Sequence, residues 1–311
     1  MEHESALIWA DHMEHSKKPS RLCSGRDTLE WLVKLIFLLC GLAAVGCVLF
    51  ICIYLIVAGL PAVMEIGLTD LLFGTVWNGK GSQFGILPFI LTSIAGTAGA
   101  VLVGVPVSLM TAIFLAKVAP PKVARVIRGA VDLLAGIPSI VYGLVGMIVL
   151  VPAIQKTFQL ASGATLLAAI VVLAVMILPS IINVAETALR AVPKEYEEAS
   201  LALGATHIET IFRVTLPAAR SGVATAVVLG VGRAIGEAMA IIMVSGNVPN
   251  MPENLFTSVR FLTTAIASEM SYAAVGSLWR DALYSVGLVL FLFIMFINVI
   301  LNLCIKSKRE G

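Results

Sequence analysis

The stretch LIFLLCGLAAVGCVLFICIYLIVAGL, Leu35 to Leu60, carries no charged side chain. A bilayer's hydrocarbon core is roughly 30 Å thick, and about 20 apolar residues in a helix cross it. Lipid offers no partner to a free N–H or C=O, so a run of this length is expected to be helical. It follows a polar, charged beginning and is too long for the apolar core of a cleavable leader, so it is expected to remain as a signal anchor. Outward from it, apolar runs recur and give six expected spans, at about 32–58, 86–116, 130–153, 164–184, 219–245 and 282–304. The whole 311-residue chain is 59% hydrophobic and 13% charged, against about 25% charged in a soluble domain. An all-α integral membrane protein follows, and soluble classes are excluded.

The net charge of +2 gains meaning once the basic residues are placed. With the N-terminus inside, sixteen lysines and arginines fall on inner segments, among them Lys17, Lys18, Arg26, Lys117, Arg125, Arg190, Lys194 and Lys306, against four outside, Lys80, Lys156, Arg260 and Arg280. The positive-inside rule then places both termini in the cytoplasm. The expected organisation is a cytoplasmic tail 1–30, a first transmembrane helix 31–60, an external loop 61–85, a transmembrane domain 86–305 containing an inner loop 186–217, and a cytoplasmic C-terminus 306–311. Cys40, Cys47 and Cys52 lie in the first span and no cysteine lies in an external loop, so no disulfide framework is expected. The tail holds His3, His12 and His15 among acidic residues, without a recurring ligand spacing, and no metal site is expected. Helix breakers interrupt the spans at Gly104-Val105-Pro106, at Gly136-Ile137-Pro138-Ser139 and at Pro179, while Gly96, Gly99, Gly143, Gly146, Gly232 and Gly236 would let helices approach closely.

Two motifs mislead. Gly74 to Gly81 comes within one residue of a phosphate-cradling P-loop, but Gly81 stands where a hydroxyl must hold magnesium. Gly230 to Gly236 has its third glycine one position late for a dinucleotide fingerprint and sits in a span. His207 is the one histidine outside the tail, which leaves no Ser–His–Asp arrangement. No catalytic residue and no cofactor are expected in this chain.

The longest inner loop reads AETALRAVPKEYEEASLALGATHIETIFRVTLPA, Ala185 to Ala218. Pro193 suits a helix start, Glu195, Glu197 and Glu198 complement the dipole of its first turns, and Gly204 suits its end. A second short segment, Ile208 to Val214, precedes Leu216-Pro217 and the fifth span. Two short helices could dock into a groove on a soluble partner or lie as an ordinary membrane-surface loop. The pattern Glu198-Ala199-Ser200, three residues, Gly204, nine residues, Val214-Thr215-Leu216-Pro217 resembles the EAA signature of binding-protein-dependent ABC transporter permeases. Ser200 and Val214 depart from that signature while conserving size.

The resemblance covers most of the chain and is closest to phosphate permeases of the PstC type, through Ala135–Leu144 and Gly232–Ala240. It implies a type I (MetI-like) importer core with an additional N-terminal helix, in a bacterial inner membrane. Glu198, Ala199, Ser200, Gly204, Leu216 and Pro217 would then belong to coupling helices that dock on ATPase subunits. The implied partners are a related, PstA-like second permease, a dimer of ATP-binding subunits that hold ATP and magnesium, and an external phosphate-binding protein. Membrane lipid surrounds the chain, and no nucleic acid is involved.

Arg233 and Glu237 lie in the fifth expected span, one helical turn apart and so on one face. A buried ionisable residue there costs about 2.5 to 3.5 kcal/mol, which points to a pathway or a pair. Arg233 is either an anion contact steadied by Glu237, or half of an ion pair that locks helices. A stand-alone channel is disfavoured: a dianion entering a negative interior works against roughly 4.6 kcal/mol per 100 mV. A secondary transporter would show an inverted repeat and charge in both halves, and neither is visible. The outer stretch 246–281 is the expected docking surface for the binding protein, and its run Leu255–Ala267 is either a helix lying on the membrane or a plain connecting segment.

Overall fold

The computed structural model describes residues 24–79 and 81–307, with side chains from residue 29 on except 302 and 304–307. The tail histidines, Lys80 and residues 308–311 lie outside that range. The described chain divides into two units, one ending at Tyr54 and the other beginning at Leu55. Helix α1, Ser24–Ile66, contributes to both. In the first unit its apolar side chains point outward on every side, Phe37 and Phe50 among them. A helix hydrophobic all round belongs in lipid or in a large core.

The second unit continues with the short helix α2, Leu68–Phe73, and a hairpin of β1, Trp77–Asn78, and β2, Gln83–Phe84. The described residues of the expected loop 61–85 thus form the end of α1, α2 and the hairpin. Helix α3, Leu87–Ile113, runs unbroken through Pro106 and ends in a π turn, Phe114–Val118. Helix α4, Pro121–Gly136, stops at Ile137-Pro138. Helix α5, Ser139–Val145, a π turn Gly146–Leu150 and α6, Val151–Phe158, then form one span. The expected span 130–153 is therefore corrected. Pro138 has no N–H to continue the helix and pushes Ile137 into an extended conformation, so the amphipathic α4 is separated from the span Ser139–Phe158.

Helix α7, Leu166–Arg190, is the most enclosed span. It is followed by α8, Lys194–Ala202; α9, His207–Thr210; a π turn, Ile211–Thr215; and α10, Leu216–Ala218. Helix α11, Arg220–Gly236, leaves the segment His207–Ala218 at 73°. Helices α12, Met239–Val244, α13, Leu262–Glu269, and α14, Leu278–Ser307, complete the unit. Among the described residues five helices are long and apolar enough to cross a membrane, or six when the bent pair counts as one.

Small residues set the packing. A side chain added at Gly99 would meet Ile170 at 2.6 Å, and one at Gly104 would meet Ile177 at 2.7 Å. Contacts that rise together in both helices make α3 and α7 parallel, as two spans separated by one return crossing must be. Gly222 faces Ala188 and Gly230 faces Ile181, so α11 runs antiparallel to α7. Gly96, Gly143 and Gly146 are also close approaches, whereas Gly232 and Gly236 face open space. With no hydrophobic force between helices in lipid, this close packing is what holds them together. Among the described residues four clusters result, the larger ones around Ile170, Leu173, Met176 and Val244, around Phe89, Leu262 and Leu283, and around Ile177, Ile181 and Leu189.

At the end where α3 and α7 begin, one carboxylate gathers four segments. Glu269 pairs with Arg260 and accepts hydrogen bonds from Trp77 Nε1 and Trp279 Nε1, each at 2.8 Å. Leu262, Thr264 and Ala265 are fully buried, so α13 packs inside the bundle instead of lying on a membrane surface. Glu269→Ala would take the counter-charge from the mostly buried Arg260 guanidinium, which keeps its bonds to the Asn247 carbonyl, at a cost of about 3 kcal/mol. Trp279→Phe removes one hydrogen bond, about 1 kcal/mol. Thermal unfolding of the purified protein in detergent should rank Glu269→Ala well below Trp279→Phe; equal losses would show that the charge pair is not what matters.

Candidate functional site

The loop 186–217 folds into a projection whose shape follows from its residues. Pro193 stands just before α8 in an extended conformation, and Glu195 and Glu197 occupy the first turn. Gly204 ends the segment with φ +87°, a left-handed conformation that favours glycine. A capping box opens α9: the Thr206 hydroxyl accepts from the Glu209 N–H, and the Glu209 carboxylate accepts from the Thr206 N–H. These bonds from Thr206 hold the Glu209 carboxyl below the usual carboxylate range. The Ser200 and Thr210 hydroxyls, 2.9 Å apart, tie α8 to the second segment.

Of the expected coupling residues, Glu198, Ala199, Gly204 and Pro217 are exposed, while Ser200 and Leu216 are half-buried. The crest is apolar: Leu203 is 90% exposed, and Tyr196, Leu201, Ile208 and Phe212 are exposed around it. An apolar patch of this kind on a polar projection marks an interaction surface.

The base of the projection is fixed by charges that the linear pattern did not single out. Glu197 pairs with Lys117 at the end of α3 and accepts from the Thr215 hydroxyl at 3.2 Å. His207 Nε2 lies 3.1 Å from the Lys117 carbonyl. Glu186, 5% exposed, pairs with Arg128 of α4 and with Arg190 one turn on. Arg190 also donates to the Leu115 carbonyl at 2.8 Å. A polar cavity of about 420 Å³ lies over this knot, lined by Arg128, Asp132, Asn183, Glu186, Thr187 and Arg190. A carboxylate this deeply buried needs its cations, since an unpaired one would neutralise instead.

Arg233 and Glu237 are placed differently from the expectation of a shared helical face. Helix α11 ends at Gly236, and Glu237 is extended, with φ −73° and ψ 129°. Its carboxylate caps the next helix by accepting from the Ala240 N–H at 3.0 Å. Its carbonyl accepts from the Thr263 hydroxyl at 2.8 Å. Among the described residues no ion pair joins it to Arg233. Arg233 is half-buried and donates from Nη1 to the Ser180 hydroxyl at 2.8 Å. Among the described residues no other hydrogen bond is made by its guanidinium, a geometry suited to an anion. Ser180 follows Pro179 in α7 and was not visible as a site residue from sequence, because its partner lies 53 residues away. Among the described residues no three of His, Cys, Asp and Glu converge as metal ligands.

Comparison with known proteins agrees with this architecture. The model of the family "binding-protein-dependent transport system inner membrane component" matches residues 104–307. The probable ABC transporter permease protein YqgH of Bacillus subtilis (strain 168) is 39% identical over 307 residues, 96% of this chain and 99% of the relative. The phosphate transport system permease protein PstC of Pasteurella multocida (strain Pm70) is 36% identical over 76% of this chain and 79% of its own. Among solved structures, a bacterial alginate ABC transporter in complex with an alginate pentasaccharide-bound periplasmic protein superposes with TM-score 0.61 at 16% identity, covering 91% of this chain and 96% of that one. The inward-facing MetNI methionine ABC transporter gives TM-score 0.57 at 20% identity, covering 71% and 95%. These likenesses show a type I, MetI-like permease fold with a further N-terminal helix, and a membrane-spanning transporter component in place of an enzyme. The chain belongs to the binding-protein-dependent transport system inner membrane component family, as the permease of an ABC importer.

Proposed function

We propose that this chain is a permease subunit of an ATP-driven phosphate importer in a bacterial inner membrane, with both termini cytoplasmic. The observation that carries the substrate is the identity with relatives named as phosphate transport permeases, 36% for the Pasteurella protein. The half-buried Arg233, holding one serine hydroxyl and, among the described residues, pairing with no carboxylate, supports it.

In this reading the chain pairs with a PstA-like second permease to enclose the pathway. The apolar crest around Leu203 seats in a groove on a cytoplasmic ATPase subunit, and the ATPase pair binds ATP and magnesium. An external binding protein delivers phosphate at the end gathered by Glu269. Closure of the ATPase pair on ATP turns the permeases outward, phosphate passes Arg233, and hydrolysis turns them inward. Glu237 shapes the route as the cap of α12, so its part is geometric. Sulfate or phosphonate would satisfy a guanidinium equally well, so the substrate is tested by competition.

Two uptake experiments in proteoliposomes holding the whole complex test this. Gly204→Asp forces a side chain into a left-handed conformation, at about 1–2 kcal/mol, and places a charge on the crest. It should reach the membrane, fail to retain the ATPase subunits and lose uptake. Arg233→Gln should keep the assembly yet lower phosphate uptake about tenfold or more, the value of a charge-assisted hydrogen bond. Uptake that continues without ATP, or that survives both changes, would return a channel to consideration. Stronger competition by sulfate than by phosphate would leave the architecture standing and change the substrate.

A further inference from the structure

Three independent contacts converge on one short stretch at the end of α3. Arg190 holds the Leu115 carbonyl, His207 approaches the Lys117 carbonyl, and Glu197 pairs with the Lys117 ammonium. Each comes from the loop or from the last turn of α7, and each lands within the π turn Phe114–Val118. The same Glu197 carboxylate takes the hydroxyl of Thr215, in the π turn Ile211–Thr215. A single π turn within α-helical chain is uncommon and recurs at functional sites. Glu197 therefore joins two such turns, one on either side of it in the fold.

The pair is largely shielded, with side chains 10% exposed for Lys117 and 19% for Glu197. The neighbouring Glu198 of the signature is exposed and makes no such link. Helix α3 packs closely along α7 from Gly96 to Gly104 and also touches α11, so displacing its end tilts a wall of the bundle. A tight, buried ion pair transmits a pull where a loose surface contact would yield.

We propose that the Lys117–Glu197 pair is the positioning link through which the docked loop moves α3, so that ATP-driven motion reaches the pathway by way of the second span. This deepens the coupling reading above and rests on it. Neither residue contacts substrate or nucleotide; both act through the loop.

The test uses the reconstituted complex with Lys117→Gln, Glu197→Gln and the exchanged pair Lys117→Glu with Glu197→Lys, measuring inorganic phosphate taken up against ATP hydrolysed. The single variants should still co-purify with the ATPase subunits but move about five- to tenfold less phosphate per ATP, the size of an ordinary coupling between sites. The exchanged pair should recover most of that ratio, which a loss of general stability would not predict. Single variants with an unchanged ratio, or an exchanged pair as poor as the singles, would overturn the link. Should a single variant fail to reach the membrane, the exchanged pair decides alone: it must transport at close to the parent ratio. Leu203→Asp separates this from the underlying reading. If it leaves the ATPase bound, docking at the crest is wrong; if it releases the ATPase while the single variants keep their ratio, only the link fails.

Discussion

Lipid offers nothing to an exposed N–H or C=O, so each interruption of a helix here has to be repaired by the protein's own side chains. Two interruptions show how. At Ile137-Pro138 the Tyr142 hydroxyl reaches back to the Leu134 carbonyl at 2.7 Å, and the Val141 N–H takes the Pro138 carbonyl. At Glu237-Ala238 the carboxylate caps α12 while Thr263 covers the freed carbonyl. Polar residues in these spans are thus spent first on closing the backbone. What remains unspent is informative: Arg233 contributes one bond to Ser180 and repairs no break. That leaves its charge free for the anion-contact role proposed for it, whereas Glu237 is occupied as a cap.

The same constraint explains why α7 is central to the second unit. It packs against α3, α4 and α11, and its small and branched residues accept the glycine faces of α3 and α11. Its first turn is capped by Thr165, and Leu166 and Leu167 donate to carbonyls of Thr257 and Leu255. Its last turn carries Glu186 and Arg190, which bind α4 and the end of α3. A helix held at both ends by polar contacts and along its length by close packing moves as a rigid body. The loop that follows it cannot shift without carrying that end along, and the charged knot decides which neighbours travel with it.

Much of this was legible in the sequence, for reasons that divide by range. Span existence, the short helices of the loop and the role of Gly204 depend on residues within one or two turns, and hydropathy, capping and turn chemistry report those directly. The error at Arg233 and Glu237 came from continuing a helical period through Gly236, where a local cap wins over an apolar run that reads as continuous. The third span begins later than the hydropathy alone suggests because the apolar residues of α4 run into those of the span, and only Pro138 divides them. The charge pairs between segments were not legible. Lys117 and Glu197 lie 80 residues apart, and Arg128 and Glu186 lie 58 apart. Nothing local distinguishes Glu197 from Glu195 or Glu198; only the fold selects which of the three turns inward.

That selection has a physical basis in the geometry of a short amphipathic projection. A helix of nine residues has room for one anchored face and one presented face. On α8 the anchored face carries Glu197, bonded to Lys117 at the base, and Ser200, bonded to Thr210 of α9, and the crest that follows presents Leu201 and Leu203. Burying a carboxylate against Lys117 costs desolvation that the pair recovers only with good geometry and a further hydrogen bond, and Thr215 supplies that bond. A hydrophobic contact at the same place would hold the projection equally firmly but would tolerate sliding. An ion pair with a fixed third partner does not slide, and a loop that must convey direction as well as force requires that property.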